Sequence, residues 1–250
     1  MFRNHQSLRV KPFRLLHRTR WMAVCALIAA VALGILWRQT PSGDHIQARV
    51  MSFLRQHGVA LVAAKEIPPL LAQAIVATED ERFYQHHGID AIGIGRAALF
   101  DATHRCLCQG ASTITQQLVK DIYLHGSDRG LNKVIDAVVA FKVETKISKQ
   151  QILADYLSEI PTGPGMYGID EASCTYLGML PLRLDLADEA LLAGLAQAPS
   201  AYDPQLHPHA ATIRRNEVLR AMLTEGDVTP AEVKTARLEP IIPERIAAGC

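Results

Sequence analysis

Aromatic residues, cysteines and net charge are all scarce in this sequence, and each scarcity removes a class of protein. Phenylalanine, tyrosine and tryptophan make up 6% of the 250 residues, and the two tryptophans, Trp21 and Trp37, bracket one short stretch. Formal net charge is +1, with 26 Lys and Arg against 25 Asp and Glu, so there is no basic footprint for nucleic acid. Five cysteines do not make a disulfide framework. Cys25 lies in an apolar run, Cys250 is the last residue, and Cys106, Cys108 and Cys174 leave an odd number between them. His104-Arg-Cys106-Leu-Cys108 has ligand-like spacing, but no second cluster follows at zinc spacing, which argues against a metal site. Internal repeats, low-complexity tracts and credible strands are missing too. The chain therefore reads as mainly α, one large domain with an appendage.

The appendage comes first. Residues 1–20 carry six basic residues (Arg3, Arg9, Lys11, Arg14, Arg18, Arg20) and no acid, and Trp21–Trp37 is seventeen residues without a charge. That is a membrane span of minimal length with tryptophans at both rims. Basic residues stay on the cytoplasmic side, so everything after Arg38 is expected outside the cytoplasmic (inner) membrane, on its periplasmic face. Ala30-Val31-Ala32 has the small-residue spacing of a signal-peptidase site, but it falls inside the apolar run, which favours an uncleaved anchor. Removing the six basic residues leaves 20 Lys and Arg against 25 Asp and Glu, a balance of −5 suited to a soluble outer domain. The expected organisation is a tail at 1–20, an anchor at 21–37, a linker and entry segment at 38–66, and a domain at 67–250.

Within that domain the first informative stretch is Ala77–Gly88. Pro68 and Pro69 suit a helix start, and the spacing predicts a helix over 69–82 with Leu71, Ile75, Glu79 and Phe83 at four-residue steps. Glu79 then lies on the face that should be buried. A carboxylate lining a cleft there loses hydration and becomes suited to general acid–base work; the plainer alternative is a helix-end Glu paired with Arg82. Residues 89–100 are unusually apolar. By default they pack into the core; otherwise they form a surface that touches the bilayer.

Two further stretches carry chemistry. In Gly110–Leu124, Ser112 suits an N-cap, Ile114, Leu118 and Ile122 form a core stripe, and Ser112, Gln116 and Lys120 line another face. A helix start rich in free N–H groups and hydroxyls beside a lysine suits an anion such as phosphate, against the alternative of a capped surface helix. In Arg129–Glu144, Leu131, Val134, Ile135, Val138 and Phe141 supply the expected apolar face, while Asn132 and Asp136 share a line next to Lys133. Helices are also expected from Ser148 through Leu157, to about Leu177, over Leu186–Ala198, over Pro208–Glu225 before Gly226, and from Thr229-Pro230 to before Pro240.

Glu79-Asp80-x-x-Phe83-x-x-His86-x-Gly88, then Gly110-x-Ser112-Thr113-x-x-Gln116-Gln117-x-x-Lys120, resembles the first two motifs of the peptidoglycan glycosyltransferases, lysozyme-like enzymes that polymerise lipid II. Lys149-x-x-Ile152-Leu153-x-x-Tyr156-Leu157, Gly163 to Gly168, and Leu192-Ala193-Gly194 to Pro199-Ser200-x-x-x-Pro204 extend the resemblance over about residues 60–205. It implies a lysozyme-like helical lobe with a small membrane-proximal jaw at about 89–109, after one transmembrane helix, as in the monofunctional members. The implied partners are lipid II, lipid-linked glycan, the bilayer and cell-wall synthesis proteins. In the implied reaction a GlcNAc 4-hydroxyl of lipid II attacks the anomeric carbon of the growing chain and expels undecaprenyl pyrophosphate with inversion.

The resemblance makes Glu79 the base. It puts Asp80, Ser112, Thr113, Gln116, Gln117, Lys120 and Lys133 on the substrate and pyrophosphate side, with Phe83 and His86 shaping the site. The family's second carboxylate, in an Arg-Lys-x-x-Glu element, falls on Asn132-Lys133-x-x-Asp136. Here the acid is one methylene shorter and a fixed cation is lost, which Arg129 could replace. Asp121 and Ser158 also stand where asparagine is usual. These departures keep open a lipid II-binding scaffold with little turnover. A glycan hydrolase is disfavoured because it needs no pyrophosphate site. No cofactor is required, although a divalent cation (magnesium or manganese) could bridge the pyrophosphate to Asp80 or Asp136.

Overall fold

The computed structural model describes residues 12–105, 110–127 and 130–241, and the chain divides into two units after Pro41. The first contains α1 (Pro12–Gln39), whose Trp21–Trp37 stretch is exposed almost throughout. Among the described residues the chain has one helix long and apolar enough to cross a membrane, and this is where it lies.

In the second unit α2 (Ile46–His57) buries Ile46, Val50 and Leu54 at four-residue steps and closes on left-handed Gly58. α3 (Pro69–Glu79) opens on proline. Asp90 caps α4 (Ala91–His104) by accepting the Ile92 N–H. A capping box formed by Thr113 and Gln116 starts α5 (Ile114–Leu124). Next come α6 (Leu131–Glu144) and α7 (Lys149–Glu159), the latter capped by Ser148. A hairpin pairs β1 (Pro161–Gly163) with β2 (Met166–Tyr167) antiparallel. α8 (Ile169–Leu177), α9 (Leu186–Leu195), α10 (Pro208–Glu225) and α11 (Pro230–Leu238) complete the order. The mainly α class expected from the sequence is what is found.

One core runs through this unit. α9 packs against both α3 and α10, and α5 packs against α6 and α7. Leu71, Ile75, Leu118, Val139, Ile152, Leu192 and Leu219 all contribute fully buried or nearly fully buried side chains. The two helix groups meet where the end of α3 reaches α5, and the functional residues cluster there.

Five expectations change. The N-cap of α5 is Thr113, which accepts the Gln116 N–H, rather than Ser112, whose hydroxyl takes a hydrogen bond from Lys133 instead. The first helix stops at Glu79 rather than 82, because Asp80 leaves helical geometry (φ −161°, ψ 70°) and its carboxylate accepts the Ile114 N–H at 3.0 Å. Phe83 is still fully buried, but from the turn beyond the helix. Residues 91–104 form a helix that buries Gly93 and Ala97 while Ile92, Ile94 and Leu99 stay exposed, so the default of core packing fails. α6 turns its expected apolar face outward. Leu131, Val134 and Phe141 are exposed, and Asp136, Val139, Ala140 and Val143 are buried. The reason lies in polar partners for Asp136, given below, and in Gly88, whose φ of +78° lets the chain run against α6. A Cβ on Gly88 would lie 2.6 Å from the Phe141 nitrogen. Finally, the helix expected over 186–198 ends at Leu195, ahead of Pro199.

Candidate active site

Glu79 is the last residue of α3, and its side chain is 11% exposed. The Gln117 amide donates to its Oε2 at 3.0 Å, and the Arg214 guanidinium lies 3.7 Å from its Oε1. Tyr156 fixes which way the Gln117 amide points, since its hydroxyl donates to Gln117 Oε1 at 3.2 Å. Burial first, and then the charge of Glu79, push the Tyr156 hydroxyl well above its ordinary value, so it remains a proton donor at any physiological pH.

Asp136 is 1% exposed and is reached by the residue next to Gln117. Gln116 donates to Asp136 Oδ1 at 2.7 Å, while its own Oε1 accepts the Thr113 N–H at 3.2 Å as the returning half of the capping box. Lys133 lies 3.4 Å from Asp136 Oδ2 and donates to the Ser112 hydroxyl at 2.7 Å. Consecutive glutamines on α5 thus each hold one acid, with a cation and a hydroxyl beside the second.

Asp80 and His86 serve the frame. Asp80 is 7% exposed; its oxygens lie 2.9 and 3.0 Å from His86 Nε2, and Oδ2 also takes the Ile114 N–H. Thr113 accepts the Gln116 N–H and donates to the Gly88 carbonyl at 2.7 Å. The start of α5 is therefore not the open row of N–H groups expected for an anion, because Asp80 and Thr113 already satisfy two of them. What remains for an anion is Lys133 and Ser112. Phe83 lies under the Lys149 ammonium, 4.3 Å from the ring centroid.

Lys120 pairs with Asp121 at 3.7 Å. Asn132 donates to Ser127 at 2.9 Å, so it takes part in a local turn. Arg129 lies outside the described residues, as do Cys106 and Cys108. Ser158 accepts the Val62 N–H at 2.9 Å and donates to the Ala154 carbonyl at 2.7 Å, so the hydroxyl in place of the usual amide ties the entry segment to α7.

A cleft of about 500 Å³ opens beside these groups, lined by Glu79, Asp80, Arg96, Ser112, Thr113 and Gln197 among others. Arg96, on α4, pairs with Glu81 across it. A second cavity of the same volume, walled by Phe53, His57, Asp121, Glu159 and Tyr167, does not contain Glu79, and Asp136 lines neither cavity. Glu159 there is fully buried, and burial together with nearby Asp121 pushes it well above the carboxylate range.

Arg214 and Gln197 are the site residues that motif reading did not reach. The signal for Arg214 was present: on α10, Arg214 and Arg215 occupy the stripe that also buries Ala211, Val218, Leu219 and Met222. No group of three or more His, Cys, Asp or Glu side chains able to hold a metal occurs among the described residues. Asp80, one of the two acids considered for a divalent cation, already has both oxygens engaged by His86, with Oδ2 shared with the Ile114 N–H.

Comparison with known proteins gives a family match over residues 47–223, to a model described as transglycosylase. A Cupriavidus necator protein provisionally named a transglycosylase is 39% identical over 216 residues, 86% of this chain and 90% of its own length. Penicillin-binding protein 1A of Vibrio cholerae is 43% identical over 180 residues, 72% of this chain and 22% of the larger protein. The crystal structure of penicillin-binding protein 1A from Haemophilus influenzae matches 74% of this chain and 18% of that one, at 24% identity and a TM-score of 0.46. The chain thus spans about a fifth of those penicillin-binding proteins and most of the shorter relative.

Proposed function

The chain belongs to the transglycosylase family, and from that premise we propose that it is a membrane-anchored peptidoglycan glycosyltransferase that polymerises lipid II and releases undecaprenyl pyrophosphate. The observation that carries the reading is the split between Gln116 and Gln117: Gln117 holds Glu79, which lines the cleft with Ser112, and Gln116 holds the buried Asp136, which Lys133 links to that serine.

In this reading the acceptor's 4-hydroxyl oxygen attacks the anomeric carbon of the lipid-linked chain. The new C–O bond forms as the bond from that carbon to the diphosphate oxygen breaks, and that oxygen carries the electron pair away. Glu79, oriented by Gln117, takes the hydroxyl proton. Lys133 and the Ser112 hydroxyl face the charge that develops on the diphosphate, and Asp136 fixes the lysine. The six basic residues before Trp21 and the length of α1 support an amino terminus inside and a catalytic unit outside the inner membrane. The exposed apolar residues of α4 and α6 support a lipid-facing surface.

A lipid II-holding scaffold is the second reading, and Asn132 favours it, since an amide bonded to Ser127 supplies no cation to the diphosphate. Polymerisation of fluorescent lipid II by the detergent-solubilised full chain separates the two. The glycosyltransferase reading expects polymer from the parent and a residual rate about 10²–10⁴-fold lower from Glu79→Gln. Tight lipid II binding without polymer from either would establish the scaffold and make Asn132→Arg the next variant.

A further inference from the structure

We propose that Arg214 is a positioning residue for Glu79, locked in place by Gly194, so that the far end of the chain sets the orientation of the base. The inference rests on the glycosyltransferase reading above.

Arg214 comes from α10 and is 9% exposed, and Glu79 is the carboxylate within reach of its Nη2. Three other contacts leave the guanidinium little freedom. Its Nε donates to the Gly194 carbonyl at 3.4 Å, its Nη1 donates to Glu217 at 3.2 Å, and its carbon lies 5.7 Å from the centre of the Tyr202 ring. The stem is fixed as well. A Cβ at Gly194 would come within 2.9 Å of Arg214 Cγ, so α9 offers a notch where α10 crosses it. Tyr202 in turn donates to Gln197, which lines the cleft, so the wall behind Glu79 forms one connected piece.

The geometry gives Glu79 two supports of different kinds. Gln117 fixes Oε2 by a neutral hydrogen bond, and Arg214 attracts Oε1 by charge at a distance beyond a hydrogen bond. Arg214 does not line the cleft, so its influence on the reaction passes through Glu79. A base turned by a fraction of its length no longer meets the acceptor hydroxyl, and displacements near 1 Å cost about 10²-fold in rate.

The test measures lipid II polymerisation by the full chain carrying Arg214→Met, Arg214→Lys or Gly194→Ala, each also in a Glu79→Gln background, with thermal melts to establish folding. The expected result is a fall in kcat of about 10²-fold for Arg214→Met with KM within about twofold. Arg214→Lys recovers part of the loss, because it keeps the charge but not the fork. Gly194→Ala lowers kcat without removing any charge, and none of the three lowers the residual rate of Glu79→Gln further. A parent that makes no polymer overturns the glycosyltransferase reading and this one with it. An active parent with Arg214→Met and Gly194→Ala folded and equally active, or with losses that repeat in full on Glu79→Gln, overturns the Arg214 assignment alone.

Discussion

Gln116 Nε2 lies 2.7 Å from Asp136 Oδ1, and the same side chain closes the capping box of α5 through its Oε1. One amide therefore both starts a helix and holds a buried acid. Gln116→Ala should lose a cap contact worth about 1 kcal/mol and leave a buried carboxylate short of a donor at about 1–3 kcal/mol. Denaturant unfolding should register a loss in that range, whereas a cost below about 0.5 kcal/mol would show that Asp136 finds its partners elsewhere.

The same enclosure makes Asp136→Glu an insertion rather than a repair. Asp136 is 1% exposed with Gln116 and Lys133 already at its oxygens, so an added methylene has to displace one of them. Overpacking of this kind costs about 1–3 kcal/mol. Asp136→Glu should therefore unfold more easily than the parent and polymerise lipid II no faster. A variant that is both as stable and faster would show that the shorter acid is a handicap rather than a fitted part.

Much of this arrangement was legible in the sequence, for identifiable reasons. Proline at the start and glycine after the end fixed α10 at Pro208–Glu225, and Thr229 with Pro230 opened α11. The family resemblance singles out Glu79, Gln116, Gln117 and Asp136, and they meet in two pairs, Gln117 with Glu79 and Gln116 with Asp136. The outward face of α6 was not legible, because hydrophobic periodicity assumes that polar residues face water, and Asp136 has its partners inside. Nor was the use of the α5 N–H groups by Asp80, since residues 80 and 114 meet only once the chain is folded. Arg214 was hidden for the same reason, although an arginine pair on an apolar stripe signals a buried charge with a distant partner.

Asp155 provides a pH-dependent prediction. It is 1% exposed between Gln47 at 2.8 Å and Gln151 at 2.9 Å, and burial pushes it up to about 6 despite both amides. An acid raised in the folded state binds its proton more tightly there than in the unfolded chain. Its contribution to stability is then fully present below about pH 4 and is lost as pH rises toward about 6. Glu189, raised to about 7 by burial first and then by Asp185 and Asp188, adds a loss over a window reaching pH 7. Asp155→Asn should flatten the fall in unfolding free energy between pH 4 and 6 by an amount on the order of 2–3 kcal/mol, leaving the overlapping Glu189 contribution in place. Parallel pH profiles for parent and variant would show that Asp155 is hydrated in solution.

The outward faces of α4 and α6 yield the remaining prediction. Ile92, Leu99 and Leu131 are 62, 68 and 65% exposed, and the chain of Gly88, just before α4, lies against α6 at Phe141. Each such side chain gains about 1.5–3 kcal/mol on leaving water, so several on one surface favour contact with acyl chains once an anchor holds the domain near a bilayer. Leu182 is a control of equal exposure, 70%, in the short turn Pro181–Arg183. An environment-sensitive dye placed at residue 99, 131 or 182 of the reconstituted full chain should be quenched by brominated lipid tails at 99 and 131 and spared at 182. Equal quenching at all three positions would mean that exposure alone, rather than a lipid-facing surface, governs access. Sparing at 99 and 131 would leave both helix faces in water and detach their apolar character from the membrane.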